Sequence, residues 1–439
     1  MHAPTTSGKP RLTGHELMRS LGPGLLWAGA AIGVSHLVQS TRAGASAGLA
    51  LAGVILAALV LKYPFFEFAP RYAAATRQSL VEGYARIGRW ALWLYLAITL
   101  VSSVVVDAAV ILLTAFLLRV TLGLTWPIAA VAGALYVACA ALLAVGRYRL
   151  LDAALKLILA ALAASTLVAA AVALPRVDVS TLSLIPEIGG DAGVSFAFLL
   201  ALAGWMPTAI DLSVWSSLWT LAKDRSTGFV TSVEAARADF LVGYIGTGVL
   251  AFAFVILGAA VMFGSEAAFS PQGGEFSLQL IDLYEATLGA WTRPFVMVAV
   301  LTTMLSTSLT VIDGFPRALE RTIRVLREGV PPAPAESAGP PSPEEAGGGR
   351  GYWISLACLG VAVTIVLTLF AGSLTTMADF ATIVSFLTAP VLGYLNLRVI
   401  RGREVPERHR PGKGLVALAW VGIIAMSAFG IVYLIARVS

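Results

Sequence analysis

Two polar interruptions in long apolar stretches of the sequence hold the residues best suited to chemistry. The first, residues 33–42, contains Gly33, Ser35, His36 and Gln39. The second, residues 204–211, contains Gly204, Met206, Thr208 and Asp211. An imidazole and a thioether together suit a soft metal ion, whereas hydroxyl, amide and carboxylate groups suit an organic molecule. We therefore predict one binding site built from both segments, with His36 and Met206 as the ligands if a metal ion binds.

A further carboxylate lies in a run of valine and alanine residues. This residue is Asp107, within residues 104–110. A carboxylate in so apolar a stretch is costly and usually marks a path for ions or protons, so Asp107 and His36 are the candidate proton or ion path. The alternative for Asp107 is a polar contact with a neighbouring helix. The alternative for Asp211 is to cap the start of a helix, where negative charge is favourable.

The composition places these residues in a lipid bilayer. Of the 439 residues, 58% are hydrophobic and 13% are charged, whereas soluble proteins have about 25% charged residues. A helix needs roughly 20 apolar residues to cross the hydrocarbon core. Eleven stretches qualify, at residues 22–45, 47–69, 90–118, 125–145, 150–174, 194–221, 236–263, 290–313, 352–372, 376–399 and 413–437. The sequence thus predicts an all-α polytopic membrane protein.

The basic residues predict its orientation. Most of the 30 lysines and arginines precede span 1 or lie in alternate connections, namely those after spans 2, 4, 6, 8 and 10. Since basic residues accumulate in cytoplasmic loops, we expect a cytoplasmic N-terminus and an extracytoplasmic C-terminus, in the plasma membrane or in the inner membrane of a bacterium. The net charge of +5 then reflects topology and gives no support to nucleic-acid binding.

Spans 1 and 6 contain the two polar interruptions and should be broken helices. Irregular backbone at this depth is tolerated only where it is buried or lines a cavity, and a pair of interrupted helices is the best sequence sign of a transporter site. Their offset of five spans predicts two five-helix inverted repeats and an eleventh helix. The expected organisation is an N-terminal cytoplasmic arm (1–21), a first repeat (22–174), a second repeat (175–399) and a final loop and helix (400–439).

The connection between spans 8 and 9 has two parts. Residues 315–328 carry basic residues at helical spacing, which is typical of a helix lying on anionic headgroups; the simpler interpretation is a basic cytoplasmic anchor that follows from the topology alone. The stretch that follows is rich in proline, glycine and glutamate, so we expect a mobile cytoplasmic loop at residues 329–351. No P-loop and no nucleophile–base set occurs in the sequence, which argues against an enzyme or a primary pump, and no cofactor is predicted.

Several short motifs resemble one known family. They are Gly22-Pro23-Gly24-Leu25-Leu26, Ala43-Gly44-Ala45, Leu61-Lys62-Tyr63, Glu67 with Arg71, and Met206-Pro207. Together they are similar to the first two helices and the sixth helix of the NRAMP divalent-metal transporters. The resemblance implies a LeuT-type fold, alternating access and proton-coupled import of manganese or iron.

The site departs from the pattern of that family. Its metal-binding Asp-Pro-Gly-Asn falls on Gly33-Val34-Ser35-His36, and the histidine after its Met-Pro is Thr208. Its Asp-x-x-Glu in span 3 becomes Asp107 with Val110, and its span 9 arginines have no counterpart within residues 352–370. The anionic ligand that a divalent ion normally needs is therefore missing.

Three functions remain open from the sequence. The first is a metal-ion transporter whose altered site uses His36, Met206, Asp211 and carbonyl groups near Gly33 and Gly204. The second is a transporter of a small neutral or anionic organic solute on the same fold, which the positive ends of the half-helices would favour. The third is a receptor that does not transport. The partners in every case are the lipid bilayer and a small molecule or ion.

Overall fold

The computed structural model describes residues 22–145, 148–183, 186–187, 194–265, 269–332, 349–370 and 373–438. The predicted N-terminal arm (1–21) lies outside the described residues, as does most of the predicted mobile loop at 329–351. Fifteen α-helices form within the described part of the chain. They are α1 (Pro23–Ala31), α2 (Thr41–Ala47), α3 (Ala52–Thr76), α4 (Leu80–Ile87), α5 (Arg89–Leu122), α6 (Ile128–Val145), α7 (Tyr148–Ala173), α8 (Phe196–Gly204), α9 (Leu212–Thr227), α10 (Val233–Met262), α11 (Gly273–Leu288), α12 (Arg293–Glu328), α13 (Arg350–Phe370), α14 (Leu374–Ile400) and α15 (Lys413–Val438).

Eight of these helices are each long and apolar enough to cross a membrane alone. They are α3, α5, α6, α10, α12, α13, α14 and α15, which form spans 2, 3, 4, 7, 8, 9, 10 and 11. Helix α7 is span 5. Spans 1 and 6 are each divided into two shorter helices, α1 with α2 and α8 with α9, which confirms the predicted pair of broken helices.

Glycines let the broken span 1 pack directly on span 7. A Cβ added to Gly24 would lie 2.2 Å from the Asp239 carbonyl oxygen, and one added to Gly44 would lie 2.0 Å from that of Val255. The same holds in reverse for Gly258, where a Cβ would lie 2.2 Å from the Thr41 carbonyl oxygen. Small residues at such crossings allow close backbone packing in membranes. Span 1 is therefore held along its length although its helix is interrupted.

The start of α1 is fixed by an acidic side chain from span 7. The Asp239 carboxylate accepts hydrogen bonds from the backbone N–H groups of Gly22 (3.0 Å) and Gly24 (2.6 Å). These donors have no partner inside α1, because the first N–H groups of a helix lack an acceptor. A carboxylate at this end also complements the helix dipole.

Some elements differ from the sequence-based expectation. Helices α4 and α11 were not predicted, because each is short and amphipathic and does not cross the membrane. Span 2 begins at residue 52 because the chain turns at Gly48, whose φ is 58°. Residues 315–328 are not a separate surface helix but continue span 8 within α12. One face of this segment is buried against the rest of the protein. On the same segment, Arg321 forms an ion pair with Glu82 of α4 at 2.5 Å.

Candidate functional site

The helix of span 1 is interrupted at Ile32 and Gly33. Helix α1 ends at Ala31, and the chain then forms a wide π-helical turn (Ser35–Ser40) before α2. Thr307 of α12 lies against the gap, with its hydroxyl 3.3 Å from the carbonyl oxygens of both Gly29 and Ile32. The same hydroxyl lies 3.1 Å from the Thr303 carbonyl oxygen of its own helix, so three acceptors share its single proton. A Cβ on Gly33 would lie 2.9 Å from the Thr307 methyl carbon. Span 8 therefore supplies a neutral donor to the carbonyls that the gap leaves free.

The helix of span 6 is interrupted at residues 205–211. Helix α8 ends at Gly204, where an added Cβ would lie 2.0 Å from the Thr382 carbonyl oxygen of α14. The Trp205 indole N–H donates to the Ser385 hydroxyl of the same helix at 2.7 Å. The chain resumes as α9 at Leu212. Span 10 thus holds the interruption in span 6, as span 8 holds the one in span 1.

A small cavity lies between the two interruptions, with a volume of about 20 Å³. A water molecule needs about 10–15 Å³ by this kind of measure, so the cavity has room for one. The hydroxyl-bearing residues that line it are Ser35, Thr208 and Thr307. The remaining lining is Trp205 and aliphatic side chains from α1, α5, α9 and α12. No charged side chain of the described residues lines the cavity.

His36 is fully buried but faces span 7. Its Nδ1 lies 2.7 Å from the Ser35 hydroxyl, and its Nε2 lies 3.0 Å from the Thr247 carbonyl oxygen of α10. The imidazole N–H at Nε2 donates to that carbonyl. The Ser35 hydroxyl also lies 2.7 Å from the Ala31 carbonyl oxygen, and it donates its single proton to one of these two acceptors at a time. Both ring nitrogens therefore contact groups of the protein. Met206 is also fully buried and does not line the cavity.

Gln39 belongs to a polar cluster beyond the cavity. Its amide donates to Asp379 of α14 at 2.9 Å, and Arg42 forms two hydrogen bonds with the same carboxylate, at 2.6 and 3.1 Å. The Arg42 guanidinium also lies 4.7 Å from the centre of the Phe198 ring. This cluster joins α2, α8 and α14. The arginine was visible at the end of the first polar segment, but its partner was not, because the two are far apart in sequence.

Two fully buried carboxylates, Asp107 and Asp211, make no hydrogen bond of normal geometry within the described residues. Asp107 is in α5 near Tyr136 of α6, whose hydroxyl donates to the Leu356 carbonyl at 2.9 Å. Asp211 immediately precedes α9, as a capping residue would, but its side chain does not bond to the helix backbone. Neither lines the cavity, so their predicted roles in ion or substrate binding stay predictions.

A buried lysine was not among the predicted site residues. The Lys62 ammonium of α3 donates to the carbonyl oxygens of Ala203 and Gly204, both at 2.6 Å, and the side chain is 1% exposed. These carbonyls are at the C-terminal end of α8. The sequence did contain a signal, since a lysine within an apolar span is unusual. From the sequence, Lys62 was named only as part of a motif that resembles the family. Lysine at this depth is rare and usually functional.

The metal ligands predicted from the sequence, His36 and Met206, are both fully buried. Within the described residues, no group of three or more histidine, cysteine, aspartate or glutamate side chains is placed to hold a metal ion. Of the predicted site residues, Ser35 and Thr208 line the cavity, and Gly33 packs against Thr307, which also lines it. The other predicted residues lie outside the cavity lining, namely His36, Gln39, Gly204, Met206 and Asp211. Thr307 and Trp205 join the lining, and only tertiary contacts identify them.

Comparisons with known proteins agree with this architecture. A family model described as natural resistance-associated macrophage protein-like matches residues 24–436. An uncharacterized protein of Pasteurella multocida (strain Pm70) is 32% identical over 424 residues, which cover 96% of this chain and 93% of that protein.

Two solved structures share the fold. A variant of the Eremococcus coleocola manganese transporter is 16% identical with a TM-score of 0.69, over 96% of this chain and 88% of that one. Mhp1, a nucleobase-cation-symport-1 family transporter in a closed conformation with bromovinylhydantoin bound, is 16% identical with a TM-score of 0.52, over 94% and 90% of the two chains. The architecture is thus a LeuT-type fold, with two five-helix repeats and an eleventh helix.

Proposed function

Because this chain belongs to the natural resistance-associated macrophage protein-like family, we propose that it is a secondary transporter of a small solute. The family and the apolar helices place the chain in a membrane. The observation that supports transport is the cavity between the two broken helices. Unwound backbone at this depth is expected where a substrate path crosses the membrane. In our proposal the solute binds between the breaks after they move apart, because the cavity as it stands has room for only one water molecule. Alternating access then exposes the solute to each side in turn.

The lining of the cavity favours a neutral or anionic organic solute. Its polar groups are the hydroxyls of Ser35, Thr208 and Thr307, which hydrogen-bond well but carry no charge. A divalent cation that leaves water normally needs an anionic ligand. Leu212, the first residue of α9, also lines the cavity, and the positive end of a helix attracts anionic groups. We propose that the divalent-metal site of the family is degraded in this chain.

A metal ion is the second candidate, and family membership supports it. Met206 lies in the interruption of span 6, and a thioether is a ligand for soft metals. His36 would have to leave Thr247 and Ser35 to reach the same ion. This candidate therefore requires a rotation of the imidazole into the cavity.

We also propose the orientation and the repeat boundaries from the sequence. The cytoplasmic side would hold the N-terminal arm and the connection between spans 8 and 9, and the C-terminus would be extracytoplasmic. Arginines at this inner end are partly paired with acids, as in the pair of Arg237 with the buried Glu67 at 2.5 Å. The repeats would be residues 22–174 and 175–399.

The deciding experiment is ligand binding to purified protein. We expect a metabolite screen by thermal unfolding to find a small organic ligand whose effect is lost in Thr208→Val, which keeps the shape but removes a lining hydroxyl. Asn396→Ala, a buried polar residue outside the cavity lining, is the matched control. Calorimetry with Mn²⁺ tests the second candidate, and micromolar binding lost in His36→Ala would replace our proposal with it.

Transport itself needs a separate measurement. The ligand from the screen, in radiolabelled form, should enter proteoliposomes and exchange with unlabelled ligand inside. Binding without exchange across the membrane would support the receptor hypothesis instead.

A further inference from the structure

A lysine side chain lies where the first half of span 6 would attract a cation. Helix α8 ends at Gly204, and the Lys62 ammonium contacts the carbonyl oxygens of Ala203 and Gly204 at 2.6 Å each. The last carbonyls of a helix have no intrahelical donor. They also carry the negative end of the helix dipole, equivalent to about half an elementary charge. In the membrane interior, where water is scarce, such an end needs a cation or a donor.

Transporters with broken helices use this feature to bind ions. The C-terminal ends of their half-helices and the unwound carbonyls beside them coordinate small cations. In this chain the two carbonyls at the break already have a positively charged partner, and it comes from the neighbouring span. Span 2 therefore supplies the positive charge at these carbonyls through one of its own side chains, where a dissolved cation would otherwise bind.

The surroundings of Lys62 distinguish it from an ordinary membrane lysine. Lysines near helix ends usually extend to the headgroups, whereas this one is 1% exposed. Buried lysines usually pair with a carboxylate, but within the described residues the hydrogen bonds of this one go to backbone carbonyls. The carbonyl pair is its binding partner. Lys62 does not line the cavity, so its position is separate from the proposed solute site.

We propose that the Lys62 ammonium is a tethered cation that fills a monovalent cation site at the C-terminal end of α8. Its charge fastens span 2 to the first half of span 6 without any dissolved ion. The native protein therefore leaves no place for sodium or a metal ion at these carbonyls. Removing the side chain opens the site to a small monovalent cation. This inference depends on the contacts of Lys62 and not on the identity of the solute.

The test is chemical rescue of Lys62→Ala. Purified variants are unfolded thermally in detergent at constant ionic strength, with added sodium, propylammonium or its neutral isostere propanol. We expect Lys62→Ala to melt at a lower temperature than the native protein. Sodium or propylammonium should raise its melting temperature with a saturable dependence on concentration, because a ligand that binds only the folded state stabilises it. Propanol should have no comparable effect.

The native protein and Asn396→Ala are the controls. Asn396 also donates to a backbone carbonyl of α3, that of Phe65 at 2.9 Å, but as a neutral amide. Neither control should respond to the cations. A saturable cation effect in Asn396→Ala equal to that in Lys62→Ala would overturn the proposal, because the site would not then be the one beside α8.

Lys62→Gln separates charge from hydrogen bonding and keeps the test open if Lys62→Ala does not fold. Its amide is a donor without charge. A glutamine variant as stable as the native protein would overturn the proposal, because a neutral donor would then suffice. A glutamine variant that melts several degrees lower supports it. Failure of the metabolite screen would leave these outcomes unchanged, so the two proposals fail independently.

Discussion

The two helix breaks occupy equivalent places in the two repeats but are stabilised in opposite ways. In span 1, the free carbonyls of Gly29 and Ile32 lie beside the neutral hydroxyl of Thr307. In span 6, the carbonyls of Ala203 and Gly204 contact the ammonium of Lys62. The carbonyls at the break are therefore contacted by a neutral hydroxyl in the first repeat and by a charged ammonium in the second. Both repeats thus have a break in their first helix, but side chains from other spans determine whether the group that contacts the break is charged.

The same asymmetry extends to the packing of the two glycines. Gly33 lies against a side chain, and Gly204 lies against backbone. A side chain can rotate away from an added atom, but a backbone carbonyl in a packed helix cannot. The break in span 6 should thus be the less tolerant of substitution. The variants that follow test this difference from the largest expected effect to the smallest.

The largest effect is expected from Gly204→Ala. The new methyl carbon would lie 2.0 Å from the Thr382 carbonyl oxygen, so α8 and α14 must separate. We expect a loss of about 3 kcal/mol in unfolding free energy, at the upper end for overpacking. Gly33→Ala is the matched control, with an expected loss of about 1 kcal/mol because Thr307 can move. Chemical unfolding in detergent measures both, and equal losses would contradict the proposed difference.

The next effect concerns transport and not stability. Asp107→Asn and His36→Ala should each reduce exchange of the solute in proteoliposomes by at least about tenfold, because proton or ion paths depend on such groups. Asp107→Asn should fold like the native protein, because the Asp107 carboxylate makes no hydrogen bond within the described residues. His36→Ala also loses the bond to Thr247, so its exchange is compared at equal amounts of folded protein. Asp152→Asn, a carboxylate at the start of span 5, serves as a control for general loss of charge. Full exchange activity in both variants would remove Asp107 and His36 from the predicted path.

A smaller effect is expected where α2 meets α14. Arg42 and Asp379 form a two-bonded ion pair, with side chains 19% and 30% exposed. A partly exposed pair contributes about 1 kcal/mol at most. In a double-mutant cycle with Arg42→Gln and Asp379→Asn we therefore expect a coupling energy of about 1 kcal/mol. A coupling near zero would show that Gln39 and Phe198 hold α2 without the ion pair.

The smallest effect is expected from Thr307→Val. This change keeps the volume of the side chain and removes one hydroxyl that serves the break in span 1. The loss should be about 0.5 kcal/mol in unfolding free energy, at the lower end for a neutral hydrogen bond, because three carbonyls share the single hydroxyl proton. Thr302→Val in the same helix, where the hydroxyl serves only its own helix, should change stability less. A larger loss in Thr302→Val would mean that the hydroxyl of Thr307 contributes nothing specific to the break.

Much of the fold followed from the sequence. Composition and segment length predicted a helical membrane protein, and the polar residues within spans 1 and 6 predicted where those helices break. The two short amphipathic helices α4 and α11 were missed, because membrane-length hydrophobicity is not the signal of such elements. The continuation of α12 through residues 315–328 was also missed. The spacing of basic residues along one face of a helix is the same in the sequence whether the opposite face packs against lipid or against protein, so the spacing did not distinguish the two cases.

The site was predicted less completely. Ser35 and Thr208 line the cavity, and Gly33 packs against Thr307 beside it, because the two broken segments face each other. Their role in binding stays a prediction. His36 and Gln39 are on the same segment but point to span 7 and span 10. The direction of a side chain in an irregular turn depends on local backbone angles and on the neighbours that surround it. The sequence shows neither of these.

The sequence by itself determined that the chain is helical, crosses a membrane and is interrupted at two places, because hydrophobicity and helix-breaking residues act locally along the chain. Only the tertiary structure decided which groups satisfy those interruptions. Lys62 and Ala203 are 141 residues apart, and Thr307 and Ile32 are 275 residues apart. A free carbonyl in a membrane requires a donor, but the fold alone determines which distant helix provides it, and with what charge.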